Sequence, residues 1–223
     1  MNINLYKPIY IIIGVVLTSP AFSASNIDSP TTPWGIYGGV AYAQLPTSAT
    51  VKTNDSIIPG ADAKSSNNTT IAGGITYQFT PNWSGEFAGG IPPTTTISGK
   101  GTLASANTIG KITYAPAVFS VRFNLFPDTP IQPYIGAGIN WTLIMNTKDG
   151  FVQNFKVRNA IGPVVQLGFE VPMSKKLSLV VDAKKIWIDT KAKGNLPTLG
   201  GSSATADIHI APLVTMVGLS YQF

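Results

Sequence analysis

Residues 119–130 read FSVRFNLFPDTP, and this stretch determines the predicted fold. Phe119, Val121, Phe123 and Leu125 alternate with polar or charged residues, so one face is apolar and the other polar. Such alternation is the signal of a β-strand with two different faces. The run ends in the turn residues PDTP at 127–130, and a second alternating run begins directly afterwards. The stretch therefore predicts an antiparallel strand pair joined by a short turn.

The same pattern recurs along the chain and predicts eight strands. They are Trp34–Gln44, Thr70–Phe79, Trp83–Ile91, Thr113–Phe126, Gln132–Leu143, Asn159–Val171, Leu177–Ile188 and Ile208–Phe223. Connections between strands alternate between short turns and long polar segments, which is typical of outer-membrane barrels. A soluble eight-stranded barrel would share the strand count, but it would not need so consistently apolar an outer face. We predict an all-β, eight-stranded antiparallel transmembrane β-barrel with short periplasmic turns and long extracellular loops.

Composition agrees with a membrane barrel and excludes several classes. Only 11% of the 223 residues are charged, against about 25% in a typical soluble domain. Mean hydropathy is +0.20. Cysteine is absent, which excludes disulfide scaffolds, thiolate metal sites and cysteine nucleophiles. The net charge of +5 is scattered rather than gathered with aromatic residues on one face, so nucleic-acid binding is not expected.

The N-terminal residues have the order of a secretory signal peptide. Lys7 precedes an apolar run at residues 9–17, and small residues follow. The run has about nine residues, too few for the ~20 of a spanning helix, although a retained anchor is the alternative. We expect residues 1–23 to be cleaved, with the boundary within 23–25, residues 24–33 to form a periplasmic segment, and residues 34–223 to form the barrel.

Aromatic residues are placed as two girdles would require. We expect Trp34, Trp83 and Tyr221 near one rim, and we expect the other rim to carry Trp141, Trp187 and Tyr114. The final residues, 218–223, read GLSYQF. Gly218, Tyr221 and Phe223 look like the C-terminal signal that outer-membrane assembly machinery recognises.

Four segments resemble the OmpW/AlkL family: TPNWS at 80–84, PYIGAGINWT at 133–142, IDTKAK at 188–193 and GLSYQF at 218–223. The resemblance spans nearly the whole chain after the signal peptide, and the first two external loops depart from it most. It implies an outer-membrane barrel of a Gram-negative bacterium, associated with the passage of small hydrophobic molecules. The implied mechanism is a hydrophobic channel with a lateral exit through the barrel wall. Which solute passes, and whether it moves by uptake or efflux, stays open.

Several charged or polar residues fall on the strand faces predicted to point inward. An eight-stranded barrel is just wide enough for side chains to fill it, so we predict that these residues form a lumen plug in the periplasmic half. They are Glu86, Arg122, Gln166, Glu170, Asp182 and Lys184. Plain structural filling is the simpler interpretation, because buried charges must be paired in any barrel.

Pro116, Pro163 and Pro212 lie inside predicted strands, towards their external ends. Proline cannot donate to a β-ladder and is normally confined to edges and bulges, yet a closed barrel has no edges. We hypothesise that at least one of these prolines marks a lateral opening. A harmless bulge or strand end is the alternative.

The predicted first and third external loops contain Leu45, Ile57, Ile58, Phe151 and Phe155. Apolar residues at these positions favour a hydrophobic entrance. A structural, adhesive or receptor-type barrel without transport activity is the alternative function.

Enzymatic activity is not expected. His209 is the only histidine, and with neighbouring Asp207 it shares the predicted lipid-facing parity, away from the lumen. Catalysis by a histidine with a serine nucleophile and an acid would need all three groups within hydrogen-bond reach. We expect no catalytic residues, no metal, no cofactor and a monomer. The expected partners are outer-membrane lipids, small hydrophobic solutes and the assembly machinery.

Overall fold

The computed structural model describes residues 32–54, 56–197 and 200–223, where the chain is almost entirely β-structure. The predicted signal peptide and most of the 24–33 segment lie outside these residues. The elements are β1 Trp34–Gln44, β2 Thr47–Thr53, β3 Ser56–Ile57, β4 Ala61–Ser65, β5 Asn68–Gln78, β6 Trp83–Gly90, β7 Thr94–Gly101, a 3₁₀ helix Ala104–Ala106, β8 Thr108–Asn124, β9 Gln132–Asp149, β10 Gln153–Val157, β11 Ala160–Pro172, β12 Leu177–Ile186, β13 Ile188–Leu196, β14 Ser202–Ile210 and β15 Leu213–Gln222. Over the described ranges, no helix has both the length and the apolar character to cross a bilayer.

Eight antiparallel strands close a ring at the end of the molecule that carries the short turns. The order around the ring is β8-β6-β5-β1-β15-β12-β11-β9, and β9 pairs back to β8. The ring closes its first strand on its last, because β1 pairs with β15 from Gly35 opposite Gln222 to Gln44 opposite Leu213. We call this part the turn-side half; it contains residues 34–44, 68–78, 83–90, 115–124, 132–143, 160–172, 177–186 and 213–222. The predicted eight-stranded antiparallel barrel is confirmed.

The long connections are β-structure rather than loops. β2, β3, β4, β7, β10, β13 and β14, with residues 108–114 of β8 and 144–149 of β9, continue the barrel beyond the ring. We call this part the loop-side half. The long polar connections between the predicted strands, such as residues 45–54, 56–69 and 144–158, therefore form strands over most of their length.

The loop-side half consists of two sheets rather than one closed ring. Among the described residues, no ladder joins β2 to β4 or β9 to β10. At these two boundaries, which we call seams, side-chain oxygens accept hydrogen bonds from backbone N–H groups. An Asp62 carboxylate oxygen accepts the Ala49 N–H at 2.9 Å, and Asp149 accepts the N–H groups of Asn154 and Phe155 at 2.9 Å each. Acceptor side chains thus satisfy backbone donors that would otherwise lack a strand partner.

Six of the eight barrel strands are interrupted in the described chain where the halves meet. The interruptions are Leu45–Pro46, Ser66–Asn67, Ile91–Pro93, Arg158–Asn159, Trp187 and Ala211–Pro212. Three of the six contain proline, which lacks the N–H that a ladder needs. Only β8 and β9 run through both halves, with 17 and 18 residues.

Side chains alternate between the inside and the outside of the wall, as the period of two requires. Large apolar residues such as Val40, Ile71, Phe119, Ile139 and Leu167 are exposed on the outer face. The expected girdle residues Trp34, Trp83, Tyr221, Trp141 and Trp187 are also exposed. Tyr114 was assigned to the outer girdle wrongly. It shares the parity of inward Val118, lines the interior, and its hydroxyl lies 3.3 Å from the Asn68 amide.

Candidate functional site

A charged network fills the interior of the turn-side half. Arg122 contacts Glu170 at 2.7 Å and Glu86 at 3.4 Å, while the Lys184 ammonium contacts Glu86 at 3.0 Å and Asp182 at 2.7 Å. Three carboxylates thus surround two cations. All are buried except Glu170, which is half-buried. Pairing offsets the cost of burying charge, which is large for an isolated ion.

Uncharged groups tie the same network together. The Ser120 hydroxyl donates to Gln166 Oε1 at 3.0 Å, and Gln166 Nε2 donates to Glu86 at 3.4 Å. The structure therefore brings together all six residues that alternation placed inside the barrel. Together they occupy the interior near the short turns, as an eight-stranded barrel narrow enough for side chains to fill allows.

Tyr134 belongs to this network and was missed. Its hydroxyl donates to Asp182 at 2.8 Å, and the Arg122 guanidinium lies 3.6 Å from the centre of its ring. Gly168 provides the space, since a Cβ there would lie 2.5 Å from the Tyr134 hydroxyl oxygen. The available signal was parity: Tyr134 is in step with Gly136 and Gly138, on the inward face of β9.

An apolar cavity of about 150 Å³ lies above the network, where the halves meet. All eight barrel strands contribute to its lining. The apolar lining includes Ala41, Leu45, Ala88, Ile97, Ile112, Pro116, Val118, Ile144, Ile186, Ile188, Ile210, Pro212, Val214 and Met216. Asp182 and Lys184, bonded to each other, reach it from the network. The cavity is therefore apolar over most of its lining and borders the charged network on one side.

The wall between β6–β7 and β8 is interrupted beside this cavity. The β6–β8 ladder ends at Ala88 opposite Val118, and the β7–β8 ladder begins at Thr94 opposite Thr113. Ile91 lies between them with 60% of its surface exposed. Ile91 also lines the cavity. Ile91 thus borders the cavity at the position where the backbone ladder to β8 is interrupted.

One proline lies on each side of this interruption, Pro92 after β6 and Pro116 in β8. The Tyr114 N–H donates to the Pro93 carbonyl at 3.2 Å, so the next donor towards β6 would be residue 116, which is proline. The Ile91 N–H points the other way, to β5 at 2.9 Å, so the donor facing β8 would be residue 92, also proline. Alternate residues of an antiparallel strand donate to the same neighbour, and here both donors are missing. Pro116 was singled out from sequence, and Pro92 was not.

The other two predicted prolines lie at different joints. Pro163 ends the β11–β12 ladder, whose first pair is Val164 opposite Ile186, and its carbonyl accepts the Trp187 N–H at 3.2 Å. Pro212 separates β14 from β15, and its carbonyl accepts the Ile186 N–H at 3.0 Å. Each of these two prolines thus still accepts a backbone hydrogen bond from residue 186 or 187 on the neighbouring strand.

The five apolar residues predicted at an entrance divide into two groups. Leu45 is buried and lines the 150 Å³ cavity. Phe151 and Phe155 line a second apolar cavity of about 60 Å³ inside the loop-side half. Ile57 is 59% exposed and neither it nor Ile58 borders these cavities, because both lie at the outer tip between β2 and β4. Ile97 lines both cavities, which places them next to each other.

The remaining predicted residues are located as follows. His209 is exposed on the outer face and bonds Asp189, whereas Asp207 pairs with Lys52 at 3.0 Å. Over the described ranges, no group of three or more histidine, aspartate or glutamate residues is arranged to hold a metal. Gly218 lies in β15 where a Cβ would meet the Gly38 carbonyl, and the rings of Tyr221 and Phe223 pack edge to face at 5.5 Å.

Comparison with known proteins gives consistent matches. The model of the OmpW family matches residues 37–223. The dibenzothiophene metabolism operon protein PahQ of Pseudomonas aeruginosa is 32% identical over 210 residues, covering 94% of this chain and 98% of PahQ. Outer membrane protein AlkL of Ectopseudomonas oleovorans is 26% identical over 166 residues, covering 74% of this chain and 71% of AlkL.

Two solved structures share the fold. The outer membrane protein OprG of Pseudomonas aeruginosa superposes with a TM-score of 0.81 at 24% identity, covering 88% of this chain and 98% of OprG. AlkL in DMPC bilayers superposes with a TM-score of 0.67 at 22% identity, covering 92% of this chain and 95% of AlkL.

Proposed function

Because the chain belongs to the OmpW family and is an outer-membrane protein of a Gram-negative bacterium, we propose that it is a passive channel for small hydrophobic molecules. The solute enters through the loop-side half, occupies the 150 Å³ cavity, and leaves sideways between β6–β7 and β8. The proposal concerns passage alone, without a catalytic step. The barrel acts as a monomer, and its last strand is the segment that the assembly machinery recognises.

The apolar cavity is the observation that carries this proposal. A dry cavity of about 150 Å³ lined by aliphatic and aromatic side chains accommodates benzene in another protein. The cavity of this barrel has the same volume and a similar lining. It is therefore the right size for a one-ring apolar molecule, which it would remove from water as it enters.

The charged network argues against a straight aqueous route. Glu86, Arg122 and Lys184 are mutually paired and buried across the lumen below the cavity. An apolar solute gains nothing by displacing those ion pairs, whereas the interrupted ladder beside Ile91 offers a route through the wall without charged groups. A sideways exit thus avoids the charges altogether.

Strand length supports an entrance away from the bilayer. β9 has 18 residues, or about 60 Å at ~3.4 Å per residue, whereas the apolar band of such barrels is ~25 Å tall. Even with strong tilt, the loop-side half extends beyond the lipid. The name of PahQ, which refers to dibenzothiophene metabolism, is in keeping with an aromatic solute.

Restoring the missing backbone donors tests the exit. Cells that lack their own barrel of this family would express the wild type or Pro92→Val/Pro116→Val, together with a cytoplasmic enzyme that converts toluene to a coloured product. The double variant should lower the conversion rate to nearly that of cells without the barrel. Pro163→Val/Pro212→Val is the matched control and should retain the wild-type rate, and conversion in permeabilised cells checks the reporter.

The outcomes separate the two parts of the proposal. Equal rates with and without the wild-type barrel would contradict transport and favour a structural or adhesive barrel. A wild-type rate in the Pro92→Val/Pro116→Val cells would retain transport but remove this exit.

A further inference from the structure

Four exposed lysines form two cross-strand pairs on the wall of the loop-side half. Lys111 of β8 lies directly opposite Lys148 of β9, and Lys156 of β10 lies directly opposite Lys193 of β13. β9 and β10 follow each other along the chain and are joined by a short turn, so the two pairs belong to neighbouring parts of the wall. We call these four residues the lysine patch.

The side chains of the lysine patch point out of the barrel. Phe155 and Val157, on either side of Lys156, line interior cavities. Ile112, next to Lys111, lines the larger cavity. Because successive side chains of a strand point to opposite faces, Lys156 and Lys111 face outward. Their cross-strand partners face outward with them, since residues directly opposite each other share a face.

The lysine patch differs from most other lysines of this half in its ion pairing. Lys52 and Lys191 both pair with Asp207, at 3.0 and 3.4 Å, and Lys100 pairs with Asp62 at 3.1 Å. Within the ranges that the structure describes, none of the four patch lysines forms an ion pair. The positive charge of the patch is therefore not neutralised by those parts of the chain.

Asp149 is the acidic residue next to the patch along the chain. Its two carboxylate oxygens accept the N–H groups of Asn154 and Phe155, each at 2.9 Å, so they are engaged by the backbone. Like charges directly opposite each other on two strands are destabilising. The barrel thus carries two such contacts side by side, and an anion from outside would relieve both.

The patch lies beyond the hydrocarbon of the membrane. Lys148 is seven residues past Trp141, and Lys193 is six residues past Trp187, the two tryptophans expected in the outer girdle. At ~3.3 Å per residue and a strand tilt of about 40°, the lysines lie about 15–18 Å above the girdle. They are at the level of lipid headgroups and saccharides, and they point sideways towards neighbouring lipids.

We propose that the lysine patch binds the phosphorylated saccharide core of lipopolysaccharide, the acidic glycolipid of the outer leaflet. Ammonium groups form charge-assisted hydrogen bonds with phosphate and carboxylate oxygens, and clustered lysines attract anionic lipid surfaces. A second copy of the chain does not fit this surface, because its own patch brings the same positive charge. The proposal is independent of transport through the apolar cavity.

Removing one lysine from each pair tests the proposal. The barrel in detergent micelles is titrated with lipopolysaccharide that carries the phosphorylated core, and native mass spectrometry measures the dissociation constant. Lys148→Ser/Lys193→Ser should weaken binding about 30-fold, because each lysine near an anionic lipid surface contributes about fivefold. Lys64→Ser/Lys176→Ser removes the same charge at exposed positions outside the patch and should bind like the wild type.

Two further ligands locate the contact. Lipid A keeps the phosphates next to the acyl chains but lacks the core, so the wild type and Lys148→Ser/Lys193→Ser should bind it equally. The free core oligosaccharide should bind the wild type more weakly than lipopolysaccharide does, because it is not held in the same micelle as the barrel. Lys148→Ser/Lys193→Ser should weaken its binding as well.

The substitutions in the patch relieve like-charge contacts, so the variant should fold as well as the wild type. Equal affinity of the wild type and this variant for lipopolysaccharide would overturn the proposal. An equal loss in Lys64→Ser/Lys176→Ser would overturn it too, since net charge alone would then explain binding. An equal loss for lipid A would place the contact at the membrane surface instead. Free oligosaccharide that binds as tightly as lipopolysaccharide would show that the patch takes a soluble anion rather than the lipid.

Discussion

The two halves of the barrel differ in what closes the wall and in what fills the interior. In the turn-side half, eight backbone ladders close the ring, and paired charges fill the lumen. In the loop-side half, two sheets meet at seams held by side chains such as Asp62 and Asp149, and the interior is apolar. One chain therefore combines a rigid, plugged base with an upper part whose closure depends on a few side chains. Local stability should follow this division.

The largest expected effect is in the charged network. Arg122→Met removes the cation between Glu86 and Glu170 and leaves three carboxylates with Lys184 as the one remaining cation of the network. Removing one partner of a buried ion pair costs about 3–5 kcal/mol. We expect a loss of about 4 kcal/mol in the free energy of unfolding, measured by urea titration of the barrel in lipid vesicles with tryptophan fluorescence. Asp189→Asn, at an exposed pair, should hardly move the midpoint, and an equal shift in both variants would contradict the division.

Phe155→Ala should be nearly as costly, but only in the loop-side half. Phe155 is 5% exposed and packs in an apolar cluster with Ile97, Ile109 and Ile208. Truncation of such a phenylalanine costs about 3 kcal/mol or more. Amide hydrogen exchange should therefore accelerate in β10 and β13 and stay slow in β12 and β15. Ile57→Ala is the exposed control, and uniform acceleration in all strands would show that the halves unfold together.

Asp62→Ala tests the seam between β2 and β4. The carboxylate accepts the N–H groups of Ala49 and Ala63 at 2.9 and 2.8 Å, and Lys100 lies 3.1 Å away. We expect a local loss of about 1–2 kcal/mol, read from amide exchange at residues 49 and 63. Asp128→Ala, in an exposed turn at the other end, serves as the control. Unchanged exchange at Ala49 would mean that packing alone holds the seam.

The same seam should respond to acid. Partial burial acts to raise the pKa of Asp62, but the two backbone N–H groups and Lys100 outweigh it and hold the pKa below its ordinary value. Because the folded pKa is the lower one, the carboxylate stabilises the seam above about pH 4, the ordinary value for aspartate. That contribution is lost as the pH falls through the lowered folded pKa. Exchange at residues 49 and 63 should accelerate in that range in the wild type and not in Asp62→Ala.

The smallest effect is expected on the outer face of the loop-side half. Lys156 lies directly opposite Lys193, and both are exposed. Like charges in register across two strands are destabilising, and opposite charges contribute about 0.2–1 kcal/mol. Lys193→Glu should therefore slow amide exchange in β10 by about that amount, and less so in high salt. Lys64→Glu, opposite Ser98, should have no such effect; equal changes would point to net charge instead.

Sequence reasoning succeeded where a single strand carries the information. Alternation alone places Glu86 and Arg122 inside and Phe119 outside, since the side-chain period of a strand is two. Register across strands is a different matter. The position of Pro92 and Pro116 on the two sides of one interruption, and the hydrogen bond from Tyr134 to Asp182, depend on how the strands are aligned around the barrel. No single run of sequence contains that information.

The loop-side strands were missed for a related reason. β2 reads TSATVKT, and its inner face carries Ala49 and Val51 rather than large apolar residues. Small inward residues weaken the alternation on which strand prediction depends. Tyr114 was misplaced for a different reason. Residue type alone does not distinguish an aromatic residue of a girdle from one inside the barrel.

The interruptions between the halves also affect which changes in sequence length the barrel can tolerate. Because six strands break at that boundary, an insertion or deletion in the outer segments need not shift the register of the base. Outer segments of related barrels should therefore be exchangeable at Pro46, Pro93 and Pro212 without loss of membrane insertion. The base would then keep its pairing while the outer segments change.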